Sequence, residues 1–367
     1  MIVAEILFWA ALGALLWTHA LYPMAAAALA RVSPRRVMTG NVEPAVTVIV
    51  AAHDEEAVIE RRLDNLLALD YPSDKLEIVV ASDASTDRTD ELVARYTPHV
   101  RLLRCERGGK VAAQNRAVAE AGSDVVAFSD ANATWAPDAL RKLVRSFADP
   151  DVAYVTGRLH LLDPAGDNKE GLYWRYELKL REAESRLHSV TGGNGSMYAL
   201  RRSDYVDVDP RFGHDLAFPY LMVQRGRRAV YDPEAAAFEK PTPTNETEYR
   251  RKVRMFEHCW LITLRGSMFR RLPARYLLQV VSHRLLRYAS GVLHLLLLGT
   301  SIALVVGGRG WVYDVVLAAQ ALLLAAAAAG VGIARYYVLV TAATVVALAN
   351  YLRRGVPATW SPPEGTR

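Results

Sequence analysis

Residues 76–87 read LEIVVASDASTD, a short apolar run that ends in serine and aspartate. Apolar runs followed by acidic residues also occupy residues 46–56, VTVIVAAHDEE, and residues 125–132, VVAFSDAN. A fourth apolar run occupies residues 100–103. Amphipathic stretches with apolar residues at helical spacing, such as residues 58–69, separate the runs. This alternation predicts an α/β domain with a parallel sheet and helices on both of its faces.

The residues directly after each run are candidates for chemistry, because such sheets bind ligands at the carboxyl ends of their strands. Asp83 and Asp130 each stand at the end of a predicted strand. Helix capping, for which Asp is a preferred residue, is the simpler explanation for Asp87 and Asp138. Carboxylates at one sheet edge can hold a divalent cation, since hard cations prefer oxygen ligands. Such a cation can bridge the phosphates of a nucleotide.

Apolar residues make up 51% of the 367-residue chain and are concentrated at its two ends. The first apolar stretch is long enough to cross a bilayer, which takes about 20 helical residues. It carries Glu5 and no Lys or Arg before its apolar core, which argues against a cleaved signal peptide. The predicted parts of the chain are an N-terminal transmembrane helix (1–31), a globular domain (44–260), a basic segment at the membrane interface (261–284), about three transmembrane helices (285–353) and a tail (354–367).

The distribution of charge predicts which side of the membrane the domain faces. Arg31, Arg35 and Arg36 follow the first span directly, and the positive-inside rule then puts the domain in the cytoplasm. The net charge is +5, with basic residues near the membrane segments, where they fit anionic lipids better than nucleic acid. The two cysteines, Cys105 and Cys259, argue against a disulfide framework or a zinc site. We expect a multi-pass cell-membrane protein with no nucleic-acid partner.

Further motifs follow the strand ends in a definite order. The motifs are SDASTD with Asp83, GGKVAAQN with Lys110, FSDANATWAPDAL with Asp130, TGGNGSMYALRR with the glycine loop 193–195, HDLAFPYL with His214 and Asp215, and RKVRM at residues 251–255. In this order they resemble the membrane-bound branch of the family 2 glycosyltransferases. The resemblance covers residues 44–260. It implies a GT-A (Rossmann-like) nucleotide-sugar domain flanked by transmembrane helices.

The resemblance also implies a role for each matching residue. Donor binding would fall to Glu55, Asp83, Lys110, Asp130, Arg251 and Arg254. The acceptor side would comprise Gly193, Asn194 and His214. A divalent cation, Mg²⁺ or Mn²⁺, would be held by Asp130 and Asn132. Asp215 would be the general base, and a single base with in-line attack inverts the anomeric carbon.

Three positions depart from the family pattern. The usual DxD metal motif has Asn132 at its second acidic position, and an amide is a neutral oxygen ligand. His214 stands where an acidic residue usually precedes the base, and it is either a residue that tunes Asp215 or contacts the acceptor, or a loop histidine without a role. Met255 stands where the RxxRW motif has Trp.

Three functions remain open at this point. The first is an inverting transferase that moves a sugar from a nucleotide diphosphate, with UDP as the default, to a lipid-linked or glycan acceptor. The second is a processive polysaccharide synthase that also exports its product. The third is a non-catalytic membrane scaffold that binds nucleotide sugars. Expected partners are membrane lipids and either a second copy of the chain or another membrane protein.

Overall fold

A computed structural model describes residues 1–162, 171–240 and 245–358, which form two compact units. The globular unit contains residues 26–243 and 265–276, and the helical unit contains residues 1–25, 244–264 and 277–356. Part of the predicted tail, residues 359–367, lies outside the described residues.

The globular unit is built on one eight-stranded sheet. Its strands are β1 (Val46–Ala52), β2 (Leu76–Asp83), β3 (Val100–Cys105), β4 (Val125–Asp130), β5 (Thr134–Trp135), β6 (Val152–Leu161), β7 (Tyr198–Arg201) and β8 (Arg228–Glu239). Their order is β3-β2-β1-β4-β7-β6-β8-β5. The strands β1 to β4 are parallel, whereas β7 runs antiparallel to both β4 and β6. The sheet is therefore mixed, with the predicted parallel arrangement in the half formed by β1 to β4.

Helices connect the strands and form the helical unit. They are α1 (Ile2–Leu16), α2 (Tyr22–Val32), α3 (Ile59–Leu67), α4 (Thr89–Ala94), α5 (Lys110–Glu120), α6 (Ala139–Val144), α7 (Leu172–Leu187), α8 (His214–Gln224), α9 (Asn245–Arg265), α10 (Ala274–Val280), α11 (Leu286–Tyr288), α12 (Ser290–Val306), α13 (Trp311–Ala328) and α14 (Gly332–Arg354). Short 3₁₀ turns are Ser73–Lys75, Arg145–Ala148 and Arg202–Asp204, and π turns are Trp17–Leu21 and Val281–Leu285.

The central strand explains why the sheet has this sequence. All seven residues of β1 are buried, because β2 and β4 pair with its two edges and helices cover the sheet. A parallel strand that is buried on both faces reads as a continuous apolar run rather than as an alternating one. Leu63 and Leu66 of α3 are fully buried in the same core.

The helices that are apolar enough to cross a membrane lie mainly in the helical unit. Three candidates occur among the described residues: Ile2–Val32, Trp311–Ala328 and Gly332–Arg354. A fourth would be the pair Ala274–Tyr288 and Ser290–Val306, which is bent by 64°. These helices confirm the predicted apolar helices at both ends of the chain.

Two π turns contact each other inside the helical unit. Trp17 Nε1 donates to Ser282 Oγ at 2.8 Å, and Thr18 Oγ1 donates to the Ser282 carbonyl at 2.6 Å. The N-terminal helix is thereby joined by hydrogen bonds to the segment that precedes α12.

A buried arginine binds several main-chain carbonyls inside the globular unit. Arg228 is 1% exposed, and its guanidinium donates to the carbonyls of Arg35, Arg36, Ser185 and His188 at 2.9–3.2 Å. The bond to the Ser185 carbonyl is buried, and a buried acceptor without a donor is costly.

We therefore expect Arg228→Met to destabilise the globular unit by about 3 kcal/mol, because it removes four hydrogen bonds to main-chain carbonyls, one of them buried. Thermal unfolding of the purified protein measures the effect. The matched control is Arg225→Met at an exposed position near the end of α8, which should change the melting temperature little. Equal melting temperatures for both variants would show that the hydrogen bonds of Arg228 do not stabilise the globular unit.

Candidate active site

Strand register brings the predicted strand-end residues to one edge of the sheet. Asp130 pairs with Ala51, and Ala52 pairs with Ser82. The ends of β2, β1 and β4 are therefore neighbours, with Asp83 and Asp130 on opposite sides of β1. This is the arrangement that strand–helix alternation predicts.

The carboxylate of Asp83 organises the loop that precedes α5. Asp83 is 2% exposed and accepts from the backbone N–H of Gly108 at 2.7 Å and of Gly109 at 3.0 Å, and Arg107 forms an ion pair with it. Lys110 is the first residue of α5, directly after this loop. Asp83 therefore helps to fix the position of Lys110. The donor-binding role predicted for Asp83 stays a prediction.

The loops after β1 and β2 are linked at the same edge. Asp54 Oδ1 accepts from the backbone N–H of Thr86 at 2.7 Å, and the N–H of Glu55 donates to Thr89 Oγ1 at 2.8 Å. Asp54 and Ala84 both have φ of +53°, a left-handed conformation that is unusual for alanine. Residues held in such conformations concentrate at functional sites. The donor-binding role predicted for Glu55, which is buried, stays a prediction.

Lys110 lies among several carboxylates. Its ammonium forms an ion pair with Asp130 Oδ1, and a Cβ placed on Gly195 would lie 3.2 Å from both Lys110 Nζ and Asp130 Oδ2. Burial alone would lower the pKa of Lys110, but the charges of Asp130, Asp215 and Glu239 raise it above its ordinary value. Three predicted site residues, Lys110, Asp130 and Asp215, are thus brought together.

The glycine loop 193–195 packs against Lys110 and Asp130. A Cβ on Gly193 would lie 1.9 Å from the hydroxyl of Tyr154, so no larger residue fits there. The Gly193 N–H donates to the Asp215 carbonyl at 2.7 Å. Asn194 Nδ2 donates to the Gly157 carbonyl at 2.7 Å, so its amide fixes the loop to β6. The acceptor-side roles predicted for Gly193 and Asn194 stay predictions.

His214 is the first residue of α8, next to Asp215, and it is 3% exposed. Its Nδ1 is 2.9 Å from the hydroxyl of Tyr198, and the rings of Phe128 and Phe218 approach its ring edge-on. Burial, and then the charge of Lys110, lower the pKa of His214 to about 3. These contacts hold the His214 side chain in place at the start of α8. The contact with an acceptor stays a prediction.

Sequence reasoning missed two charged residues beside the cluster. Arg62 is fully buried, lies 4.9 Å from the centroid of the Trp135 ring and donates to Asn65 Oδ1 at 2.5 Å. Burial lowers the pKa of Arg62 to about 9, and the negative charges of Asp130 and Glu239 oppose this effect. Glu239 ends β8 and accepts from Ser196 Oγ.

Signals for both residues were present in the sequence. Arg62 lies on the apolar face of an amphipathic helix, where a charged residue is unusual. Glu239 is a carboxylate at the end of a strand, as Asp83 and Asp130 are.

Asp130 and Asn132 fit a divalent cation that is held by few protein oxygens. The side chain of Asp130 is 29% exposed, and Asn132 follows two residues later. Within residues 1–162, 171–240 and 245–358, no three His, Cys, Asp or Glu side chains form a metal cage. Mg²⁺-type sites commonly use one or two carboxylates together with substrate phosphates. The metal-binding role of Asp130 and Asn132 stays a prediction.

The predicted arginine motif lies on α9, in the helical unit. Arg251 donates to Glu248 at 2.9 Å and 3.2 Å, and Met255 is 41% exposed. The donor-binding role of Arg251 and Arg254 stays a prediction.

Comparison with known proteins identifies the globular domain. Residues 47–208 match the model described as glycosyl transferase family 2. Residues 47–208 are a family 2 glycosyltransferase domain. They contain Asp83, Lys110, Asp130 and the glycine loop, while Asp215 and Glu239 follow the matched region.

Relatives of this glycosyltransferase domain include two curated enzymes. The beta-monoglucosyldiacylglycerol synthase of Synechocystis sp. is 32% identical over 209 residues, which is 52% of this chain and 41% of that protein. The poly-beta-1,6-N-acetyl-D-glucosamine synthase of Staphylococcus aureus is 26% identical over 225 residues, or 57% of this chain and 53% of that protein. The chain spans about half the length of the curated relatives that it matches.

A solved structure resembles nearly the whole chain. It is the mannosyltransferase PcManGT from Pyrobaculum calidifontis, in complex with GDP-Man and Mn²⁺. The TM-score is 0.74 at 27% sequence identity, and the match covers 96% of this chain and 98% of that one. The similarity supports the GT-A fold that the motifs predict.

The buried His214 predicts a pH dependence of stability. A histidine with a folded-state pKa of about 3 stays neutral in the fold, whereas the unfolded chain binds a proton below about pH 6.5. The stabilisation that comes from keeping His214 neutral is fully present above pH 6.5 and decreases as the pH falls. At pH 5 the loss is about 2 kcal/mol, from about 1.4 kcal/mol per pH unit.

Urea unfolding of the wild type and of His214→Gln at pH 7.5 and pH 5 tests this. The wild type should lose more stability than the variant on acidification, because glutamine does not titrate. Equal losses of stability in the two proteins would show that His214 takes up a proton in the folded protein as readily as in the unfolded chain, and would contradict this prediction.

Proposed function

We propose that this protein transfers a sugar, with inversion, from a nucleotide diphosphate donor to a membrane acceptor at the cytoplasmic face of the cell membrane. One observation carries the proposal. Lys110 and Asp130 form an ion pair at the strand ends of a family 2 glycosyltransferase domain, with the charge of Asp215 close by. The pair is part-exposed and therefore accessible to a ligand.

Asp215 is the proposed general base. It lies in the first turn of α8, and its main chain is fixed by the Gly193 N–H while the neighbouring His214 is held in an aromatic cluster. A fixed carboxylate can take the proton of an acceptor hydroxyl as that oxygen attacks the anomeric carbon. Attack from the face opposite the departing diphosphate inverts this centre.

The proposed donor site neutralises the departing diphosphate with positive charge. Lys110 supplies one flexible ammonium, and Arg251 and Arg254 would supply planar guanidinium groups that can bind phosphate oxygens in pairs. A divalent cation held by Asp130, with Asn132 as a neutral oxygen ligand, would supply further charge to the leaving group. Mn²⁺ is the first candidate because the solved mannosyltransferase contains it.

The donor is proposed from the solved structure that covers most of this chain. That mannosyltransferase was captured with GDP-Man, so GDP-mannose is the first candidate. A UDP-sugar, the default from the sequence, is the second.

The acceptor is proposed to be a lipid or a lipid-linked glycan. Three candidate membrane helices would keep the enzyme at the bilayer, and one relative is named for a glucosyldiacylglycerol product. The name of another relative, a poly-N-acetylglucosamine synthase, keeps a processive synthase as the alternative.

A donor screen tests the proposal. Purified full-length protein is incubated with Mn²⁺ and a panel containing GDP-mannose, UDP-glucose and UDP-N-acetylglucosamine, with and without membrane lipid extract. Lipid-dependent release of nucleotide diphosphate, together with a lipid product carrying one or a few sugars, is expected. Long chains would favour the processive alternative, and no release with any donor would contradict a catalytic role.

Asp215→Asn should lower turnover by about 10²–10⁴-fold while donor binding stays close to wild type, because the amide cannot accept the proton. Nucleotide diphosphate release and donor titration measure the two effects. The control Asp74→Asn removes an exposed carboxylate in the turn before β2 and should leave both unchanged. Near wild-type turnover of Asp215→Asn would exclude it as the base.

Arg254→Lys should lose most activity and weaken inhibition by free nucleotide diphosphate, because an ammonium cannot reproduce the guanidinium fork. Arg275→Lys, within the basic segment 261–284, is the control and should do neither. If both variants behave alike and only membrane association changes, the arginines belong to a lipid-binding surface.

A further inference from the structure

The ion pair between Lys110 and Asp130 joins two residues that are both predicted to bind the donor. The Lys110 ammonium is bound to Asp130, the residue that the proposed function assigns to the divalent cation. The side chains of Lys110 and Asp130 are 25% and 29% exposed, so solvent ions can reach the pair. Glycine at position 195 lets the loop backbone lie directly against both charged groups.

An ammonium and a divalent cation that approach the same carboxylate repel each other, because both are positively charged. The lysine ammonium is a compact charge on a flexible four-carbon stem, so it can leave without movement of the helix. A divalent cation brings twice the charge to the same oxygen and so competes effectively. The ammonium then needs another anion, and the donor diphosphate is the anion that the loaded site supplies.

We infer that Lys110 is a resident cation that holds Asp130 in the metal-free site and moves to the donor diphosphate when a divalent cation binds. The inference rests on the proposed function in one respect, the assignment of the cation to Asp130. It makes Lys110 a positioning residue before the donor binds and a diphosphate ligand afterwards. The exchange couples the metal to the donor, because the bound diphosphate gives the displaced lysine a new anionic partner.

The wild-type protein provides the direct test. Lys110 is acetylated with a water-soluble acetylating reagent, and its modification rate is measured by mass spectrometry without metal, with Mn²⁺, and with Mn²⁺ plus free GDP or UDP. Mn²⁺ should raise the rate severalfold, and the nucleotide diphosphate should lower it again. Lys142, which forms an ion pair with Asp138 at 2.7 Å and is 30% exposed, is the internal control and should not respond.

Variants provide a second test that needs no sugar donor. Lys110→Gln should bind Mn²⁺ on the order of tenfold more tightly than the wild type, equivalent to about 1.4 kcal/mol, because its competitor is gone. It should also bind free GDP or UDP more weakly. The control Arg116→Gln removes a charge from the same helix, where Arg116 pairs with Glu120, and should change neither affinity.

Either of two results would overturn the inference. One is an acetylation rate of Lys110 that Mn²⁺ leaves unchanged while binding of the ion is detected. The other is a Lys110→Gln protein that binds Mn²⁺ no better than the wild type, or not at all, with a wild-type melting temperature. Failure of the donor screen would leave both measurements interpretable, since they use metal and free nucleotide diphosphate only.

Discussion

Negative charge concentrated at one edge of the sheet is the constraint on which the site depends. Asp83 and Asp130 lie on opposite sides of β1, and a carboxylate away from bulk water needs donors or cations beside it. Asp83 receives them from Arg107 and from two backbone N–H groups, and Asp130 from Lys110. One loop serves both, because the residues that bind Asp83 directly precede Lys110. The conformation of residues 107–110 therefore follows from the charges on two neighbouring strands.

The glycine loop depends on the same ion pair. Gly195 lies against Lys110 and Asp130, Gly193 lies against Tyr154, and the N–H of Gly193 fixes the main chain of Asp215. The proposed base is thus positioned by contacts that begin at the donor side. A change at Lys110 or Asp130 would reach Asp215 through the loop without any direct contact.

The half of the sheet formed by β1 to β4 can be predicted from the sequence, because each of its strands shows the same pattern. Strands β1 to β4 are apolar runs followed by polar residues, and periodicity is enough to find them. Strands such as β7, with four residues, and β5, with two, are too short to show a period, and the pairing that makes the sheet mixed is long-range. The environment of His214 was also beyond prediction, because its aromatic neighbours come from β4, β7 and α8.

Two of the three departures from the family pattern, Asn132 and His214, are consistent with the charges around Lys110. Asp130, Asp215 and Glu239 bring three negative charges near Lys110, and Arg62 interacts electrostatically with Asp130 and Glu239. A second aspartate in place of Asn132 would add negative charge where the metal-free site is already acidic. The neutral amide keeps an oxygen ligand without that repulsion. His214, held neutral by burial, likewise adds no charge beside Asp215. Both substitutions fit a site in which one mobile lysine, rather than a permanently bound ion, balances the acidic residues before the donor arrives.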